Sequence, residues 1–166
     1  MTRRRTATGA DRLAAAVHEA GHAVASVILG PGIERAVLTP NNRHHAGFTE
    51  HNRPDALGMH PLITAAGPMA EARHRFGQRP TQREVWSVID RNGHDYATLA
   101  AAGNPSPTEA APLLDRCWPA VVELASVLDA RGEIGEGDVI RALRIPPGPA
   151  GDRYVAELRS GYRAVS

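Results

Sequence analysis

The segment Leu13–Leu29, LAAAVHEAGHAVASVIL, constrains the fold more than any other part of the chain. Its apolar residues recur with the period of an α-helix, which predicts a buried amphipathic helix. Within this segment His18 and His22 are one turn apart, so both imidazoles project from the same face. Glu19 follows His18 by about 100° around the helix axis and therefore lies close to any ion that the two histidines share.

The order His-Glu-x-x-His, present here as HEAGH, is typical of a zinc site. Two neutral imidazoles, His18 and His22, would bind the ion, and Glu19 would accept a proton from a water molecule that the ion activates. Three ionisable groups on a buried helix must be paired or ligated, because burying them without partners is costly. We therefore predict one Zn²⁺ per chain, with Glu19 as the catalytic base.

Composition limits the classes of protein to consider. The 166 residues suffice for one domain with a sizeable core, and 42% hydrophobic with 22% charged residues is typical of a globular chain. A formal net charge of +1 gives no support to nucleic acid as the main partner. The single cysteine fits a reducing compartment. No secretory signal is recognisable and the HEAGH helix is too polar to span a bilayer, so we expect a cytoplasmic protein without a membrane partner.

The region before and after the HEAGH helix predicts a tail and a small sheet. Residues 1–10 are polar and basic and are expected to form a flexible tail, and Thr8 and Asp11 are candidate helix caps. The helix should end at Gly30-Pro31-Gly32. Residues 33–39 and 46–50 have the alternation of strands, and Pro40–Arg43 predicts the turn between them.

The edge of this antiparallel hairpin could bind an extended peptide by adding it as one more strand. Three histidines lie in or near the hairpin, and we expect them to be solvated, with contact to a substrate or transition state as the lesser alternative: His44, His45 and His51.

A second helix is predicted over Pro61–Phe76, with a face of small residues that permits close helix packing. Glu71 on this helix would need a partner if buried, and the zinc-binding histidines are natural candidates. Residues 81–89 are ambiguous between helix and strand. A turn at Asn92-Gly93 leads into a helix that carries His94 and Asp95 in its first turn. Spacing alone leaves Asp95 open as an ordinary helix-terminal acid or as the third metal ligand.

The C-terminal third predicts more helices. Thr108 should cap a helix from Glu109 towards Ala130 that ends at Gly132. Its inward face is expected to contain Leu113, Leu114, Cys117, Val121, Leu124 and Leu128. A short helix over 136–143 and a stiff linker at 146–149 follow. The last helix, over 152–162, has Tyr154, Leu158 and Tyr162 on one side, and it should dock on the core or on a second subunit, so a homo-oligomer stays open.

Several segments, taken in order, resemble the peptidase domain of the FtsH-type ATP-dependent zinc metalloproteases. They are HEAGHAVASVILG, a strand ending in Thr-Pro, AGFTE, AAGPMAE and GHDYATLAAAG. The stretch WPAVVELASVLDARGEIGEGDVIRAL resembles the end of the same domain. The resemblance covers about Leu13 to Leu143.

The resemblance implies an α+β, mostly α, zincin-like domain over residues 11–145, with a small sheet beside the HExxH helix and a helical C-terminal part. A linker and last helix would occupy 146–166. In that family an Asp that opens a helix is the third zinc ligand, and Asp95 occupies the matching position, ahead of Glu71 or His94 as alternatives. The implied activity is hydrolysis of peptides or unfolded proteins, with the substrate aligned at the strand edge formed by Gly47, Phe48 and Thr49.

The chain also departs from the family. No GxxxxGK[ST] motif of an ATPase occurs and no transmembrane helix is recognisable, so we expect ATP-independent activity. Pro68 stands where the family's second helix is usually unbroken. Two further hypotheses remain: a zinc hydrolase acting on a non-peptide amide, and an inactive zinc-containing regulatory or binding module.

Overall fold

Helices make up 67% of the structure, which also contains a small three-stranded antiparallel sheet. The computed structural model describes residues 9–39, 46–53 and 60–166. Within these ranges the helices are α1 Gly9–Leu29, α2 Pro61–Phe76, α3 Gln82–Ile89, α4 Gly93–Ala101, α5 Ala111–Arg131, α6 Glu136–Ala142 and α7 Pro149–Ser160. The strands are β1 Ile33–Leu38, β2 Gly47–His51 and β3 Glu133–Gly135. The α+β, mostly α, class is as the sequence predicted.

Helix α1 is the central element and packs against α2, α5 and the sheet. It begins at Gly9, so Asp11 lies within its first turn and is not its cap. Thr8 and the rest of the expected tail up to residue 8 lie outside the described residues. The helix ends as expected, because Gly30, with φ of +112°, donates its N–H to the carbonyl of Ser26.

The sheet contains the expected hairpin and one strand that the sequence did not reveal. Its order is β2-β1-β3, with both neighbours antiparallel to β1. The missed strand β3 has three residues and pairs Ile134 with Ala36. Because β1 lies between the other two strands, β2 occupies an edge. The predicted turn at Pro40–Arg43, and with it His44 and His45, falls outside the described residues.

Helices α1 and α2 approach each other closely because small residues line their interface. A Cβ added to Gly21 would lie 2.6 Å from the Ala66 carbonyl oxygen and 2.8 Å from the Ala70 Cβ. The observed bounds of α2 are those predicted, and Pro68 lies inside the helix. The ambiguous segment 81–89 contains a helix, α3, which begins with a reciprocal capping box between Thr81 and Glu84.

The C-terminal half differs from its prediction at three positions: Thr108, the start of the last helix, and Tyr162. Thr108 does not cap α5: it lies in a short 3₁₀ helix, Pro107–Ala110, and its hydroxyl pairs with that of Ser106. The predicted inward residues of α5 are all buried, and Gly132 ends the helix with φ of +82°. Helix α7 begins at Pro149, inside the expected linker, and Tyr162 is 90% exposed rather than facing the core.

Helix α7 docks on the core of its own chain. Leu158 is fully buried, and the guanidinium of Arg159 donates two hydrogen bonds to the Ile28 carbonyl at the end of α1. Arg116 of α5 donates to the Leu158 carbonyl, so the same C-terminal turn of α7 is bonded to both α1 and α5. None of the helices in the described ranges has both the length and the hydropathy that a membrane crossing would require.

Candidate metal centre

Three buried side chains from two separate helices converge on one point. His18 and His22 come from the middle of α1, and Asp95 comes from the first turn of α4. His18 Nε2 is 2.9 Å from Asp95 Oδ2 and 3.0 Å from His22 Nε2, and His22 Nε2 is 3.4 Å from Asp95 Oδ1. Ligand atoms of the three residues all lie within 4.8 Å of one another. Two imidazoles and one carboxylate are a donor set that binds zinc in catalytic sites.

Hydrogen bonds behind the two rings determine which nitrogen of each carries the proton. His18 Nδ1 lies 2.9 Å from Glu71 Oε2, and His22 Nδ1 lies 2.8 Å from the Ile63 carbonyl oxygen. A carboxylate and a carbonyl can only accept, so each Nδ1 must be the donor. Both neutral rings therefore present a bare Nε2 lone pair to the common point.

This arrangement requires a cation. Two bare Nε2 atoms at 3.0 Å, together with the Asp95 carboxylate, place acceptors against acceptors with no proton between them. Either a proton or a metal ion must sit among the three residues to make the cluster favourable. The geometry of the residues thus fits a divalent metal, held by His18, His22 and Asp95.

In the metal-free protein the same cluster retains protons. Burial opposes charge on His18, but the carboxylates of Asp95 and Glu71 outweigh it and raise its pKa well above the usual value. Burial likewise opposes charge on His22, and Asp95 nonetheless raises its pKa. Burial by itself would raise the pKa of Asp95, but the two histidines hold it far below its usual range. Each of these pKa shifts arises from the opposite charges that the carboxylates and the protonated imidazoles place next to one another.

A glycine on α2 leaves room for the second histidine. A Cβ added to Gly67 would lie 2.3 Å from His22 Nε2 and within 2.6 Å of two further ring atoms. No side chain can occupy that space while the ring keeps its place. The small-residue face of α2 was predicted for helix packing, but its role in accommodating a ligand depends on a three-dimensional approach that spacing does not show.

Glu19 lies beside the cluster and is oriented by the edge strand. Its Oε2 accepts a 2.7 Å hydrogen bond from the Thr49 hydroxyl. A Cβ at Gly47 would lie 2.8 Å from the Glu19 Cγ, so the strand approaches closely only because residue 47 is glycine. The Glu19 side chain is buried and faces a cleft of about 280 Å³. The cleft is lined by Asp11, Ala15, His18, Glu19, Ala46, Gly47, Glu71, Arg75, Arg91 and Asn92.

Glu71 and His94 were the alternative ligands, and the structure separates them. Glu71 lies on the Nδ1 side of His18, away from the common point, and its second oxygen accepts from Arg75 at 2.7 Å. Burial would raise the pKa of Glu71, but His18 and Arg75 lower it, so Glu71 is a carboxylate that hydrogen-bonds a candidate ligand from behind. His94 is exposed on the surface of α4 and is not one of the three clustered residues.

The three residues expected to bind substrate divide between the two faces of β2. Gly47 and Thr49 face α1 and contact Glu19. Phe48 points to the opposite face, is 40% exposed, and has its ring 5.8 Å from the guanidinium of Arg35. Its side chain therefore lies away from the cluster.

One polar pair near the site was not recognised from the sequence. His51, at the end of β2, lies with Nδ1 2.9 Å from the hydroxyl of Ser26, one turn beyond His22 on α1. Burial and the proximity of His22 and His94 lower the pKa of His51 to about 4. A serine on a buried helix face was the only signal for this contact, and it could not name its partner.

Comparison with known proteins adds no family to this description. The sequence matches no protein-family model, and no curated protein matches it at a significant level.

Proposed function

We propose that this protein is an ATP-independent zinc metallopeptidase with a zincin-like fold of the FtsH-peptidase type. The observation that carries the proposal is the convergence of two bare imidazole nitrogens and the Asp95 carboxylate, with the Glu19 carboxylate beside them. A purely structural zinc site is usually closed by four protein ligands and needs no base beside it. Three ligands with Glu19 adjacent favour catalysis.

The ligand residues would hold Zn²⁺ through His18 Nε2, His22 Nε2 and an Asp95 oxygen. When bound, the ion would lower the pKa of a water molecule towards about 7 and polarise the scissile carbonyl. Glu19 would accept the proton of the attacking water and transfer it to the leaving amine. Thr49 would hold the Glu19 carboxylate in place, and Glu71 would keep the proton of His18 on Nδ1.

The edge strand β2 supports a peptide as substrate. Thr39 N–H donates to the Ala46 carbonyl at 2.9 Å, which makes these two residues a hydrogen-bonded pair of the antiparallel ladder. The pairing alternates, so the main-chain groups of Gly47 and Thr49 are directed away from β1. An extended peptide could pair with them by strand addition, and its carbonyl would then pass Glu19. We extend the proposal to peptides or unfolded chains as substrates and to the cytoplasm as the location.

The proposal is tested by metal analysis and by digestion of a peptide library. Purified protein should contain one zinc per chain and cleave a subset of the library, and Glu19→Gln should keep the zinc while losing cleavage by at least about a hundredfold. Glu123→Gln is the matched control, because this glutamate is on α5 and pairs only with Arg144 among the described residues.

Two outcomes would contradict the proposal. If Glu19→Gln cleaves peptides as fast as the unmodified protein, Glu19 is not the catalytic base. If neither protein cleaves any peptide, the protein is not a peptidase. Hydrolysis of small amides in place of peptides would favour the alternative zinc hydrolase.

A further inference from the structure

A chain of hydrogen bonds fixes the orientation and the tautomer of His51. The Ser26 hydroxyl is 2.8 Å from the Gly32 carbonyl oxygen, which can only accept, so the hydroxyl proton is used there. The Ser26 oxygen must then accept from His51 Nδ1 at 2.9 Å. With its proton on Nδ1, the neutral imidazole has a bare lone pair on Nε2.

The acceptors of this chain are themselves fixed. Gly32 has φ of +72°, donates its N–H to the Ser26 carbonyl and accepts from the Asn52 N–H. A Cβ on Gly32 would lie 2.6 Å from a carboxylate oxygen of Glu136, and the positive φ also favours glycine at this turn. The ring of His51 is thereby clamped at the end of the edge strand.

The position of His51 relates it to the metal centre. Two side chains of β2 hydrogen-bond to α1: Thr49 to Glu19, and His51 to Ser26. His22 lies between Glu19 and Ser26 on the helix. Along this side of α1, Glu19 therefore lies at one end, His22 in the middle, and Ser26 with its partner His51 at the other end. The lowered pKa, about 4, keeps its imidazole neutral at physiological pH.

The Nε2 atom of His51 has no hydrogen-bond partner among the residues that the structure describes, and the side chain is half-buried. In that part of the chain every fully buried side-chain nitrogen and oxygen has a partner. A neutral acceptor that is fixed, accessible and next to the edge strand is complementary to a hydrogen-bond donor of a bound peptide.

We propose that His51 is a specificity residue of the site, whose bare Nε2 accepts a hydrogen bond from one amide N–H of a peptide bound along β2, at the end of the strand that contacts Ser26. The inference rests on the proposed function, because it takes a peptide as the ligand. The site would then require a second group of the substrate besides the scissile bond, namely this amide N–H. An ester oxygen at the same position would face the Nε2 lone pair and be rejected.

The test is a double-mutant cycle that combines a substitution of His51 with ester substitutions in the peptide. It measures binding and needs no hydrolysis. The protein is the full chain, zinc-loaded, with Glu19→Gln to prevent hydrolysis. The probe is a labelled nonapeptide, chosen as the library member that is cleaved best or, if none is cleaved, the one that this protein retains most strongly. Its peptide bonds are replaced one at a time by esters, and dissociation constants are measured by fluorescence anisotropy with and without His51→Phe.

We expect one ester position to weaken binding to the Glu19→Gln protein by about three- to tenfold and to have no effect once His51 is replaced. Ser26→Ala, which frees the tautomer of His51, should reduce this coupling while keeping the zinc content. The inference is wrong if each ester weakens peptide binding by the same factor with and without His51, or if no library member binds. Coupling without cleavage by the Glu19-intact protein would instead support His51 and overturn the hydrolytic function.

A structural role for His51 gives a different result. If the imidazole only satisfies Ser26, His51→Phe and Ser26→Ala lower the melting temperature and weaken all peptides equally, with no ester singled out. Zinc content serves as the folding control, because an intact cluster requires α1, α2 and α4 in place.

Discussion

Helix α1 packs against α2 on one side and α5 on another, and the two interfaces are built by different means. On the α5 side, large apolar side chains fill space, and the buried residues of α5 include Leu124 and Leu128. On the α2 side, His18 and His22 bond to Glu71 and to a main-chain carbonyl across an interface of glycine and alanine. The first interface depends on volume, and the second depends on close backbone approach and on directional bonds. A substitution in the α1–α5 interface should therefore lower stability without changing zinc affinity, and a substitution in the α1–α2 interface should lower zinc affinity.

The largest effect should come from Gly67→Ala. The added Cβ would lie 2.3 Å from His22 Nε2, which is far inside van der Waals contact. Because Gly67 is in the middle of a packed helix, the His22 ring must move instead of the backbone. We expect zinc affinity to fall by more than about a hundredfold, beyond the loss typical of a supporting residue. Competition with a chromophoric chelator measures it.

Gly137→Ala is the matched control for Gly67→Ala. A Cβ at Gly137, in α6, would meet no atom within 4 Å, so zinc affinity should be unchanged. If Gly67→Ala binds zinc as tightly as the control, the α1–α2 interface does not define the site.

The reverse experiment is Leu128→Ala on the α5 side. Leu128 is fully buried, and truncation in a packed core costs about 2–5 kcal/mol of unfolding free energy. The candidate ligands His18, His22 and Asp95 lie on other helices, so the zinc dissociation constant of the folded protein should stay the same. Urea unfolding in the presence of a chelator measures the stability term, with the exposed Val122→Ala as a control expected to change it by less than about 0.5 kcal/mol. Loss of zinc affinity in Leu128→Ala would show that the interfaces are coupled.

A smaller effect is expected from Glu71→Gln, which keeps an oxygen near His18 Nδ1 but removes the charge. Zinc affinity should weaken by about ten- to a hundredfold, since carboxylates behind ligand histidines contribute in this range. Glu50→Gln removes the charge of a glutamate that pairs with Arg35 on the exposed face of the sheet, and it should leave affinity unchanged. If Glu71→Gln loses all zinc while Asp95→Asn keeps it, the ligand assignment of these two acids is wrong.

The comparison of the two interfaces also explains what could be predicted from the sequence. The α5 face was predicted residue by residue, because hydrophobic periodicity reports burial directly. The bounds of α2, and those of strands β1 and β2 to within one residue, followed from periodicity in the same way. The strand β3 was missed because three residues are too few to show a period, and Thr108 was misassigned because a 3₁₀ turn precedes α5.

The site was predictable only where it is local in the chain. His18, Glu19 and His22 stand within one helical turn and form a motif, whereas Asp95 could not be separated from an ordinary helix acid by spacing. The role of Gly67 and the bond between Ser26 and His51 depend on which elements approach each other. No pattern along the chain encodes those distances, so only the folded arrangement reveals them.

The α1–α2 interface should also be the part of the molecule that responds to pH. In the metal-free protein the pKa of His18 and of His22 is raised above the usual 6.5, despite burial, by Asp95 and its neighbours. A histidine with a raised folded-state pKa contributes stability that is fully present below pH 6.5 and is lost as the pH rises through the raised pKa. Zinc binds the neutral rings, so it must displace these protons, and its affinity should rise over the same window by up to about tenfold per pH unit for each proton released.

Calorimetric titrations in buffers of different ionisation enthalpy count the protons, and Leu128→Ala should leave that count unchanged. Zinc affinity that is equal at pH 6 and pH 8 would mean that the two histidines are not the groups that the metal binds.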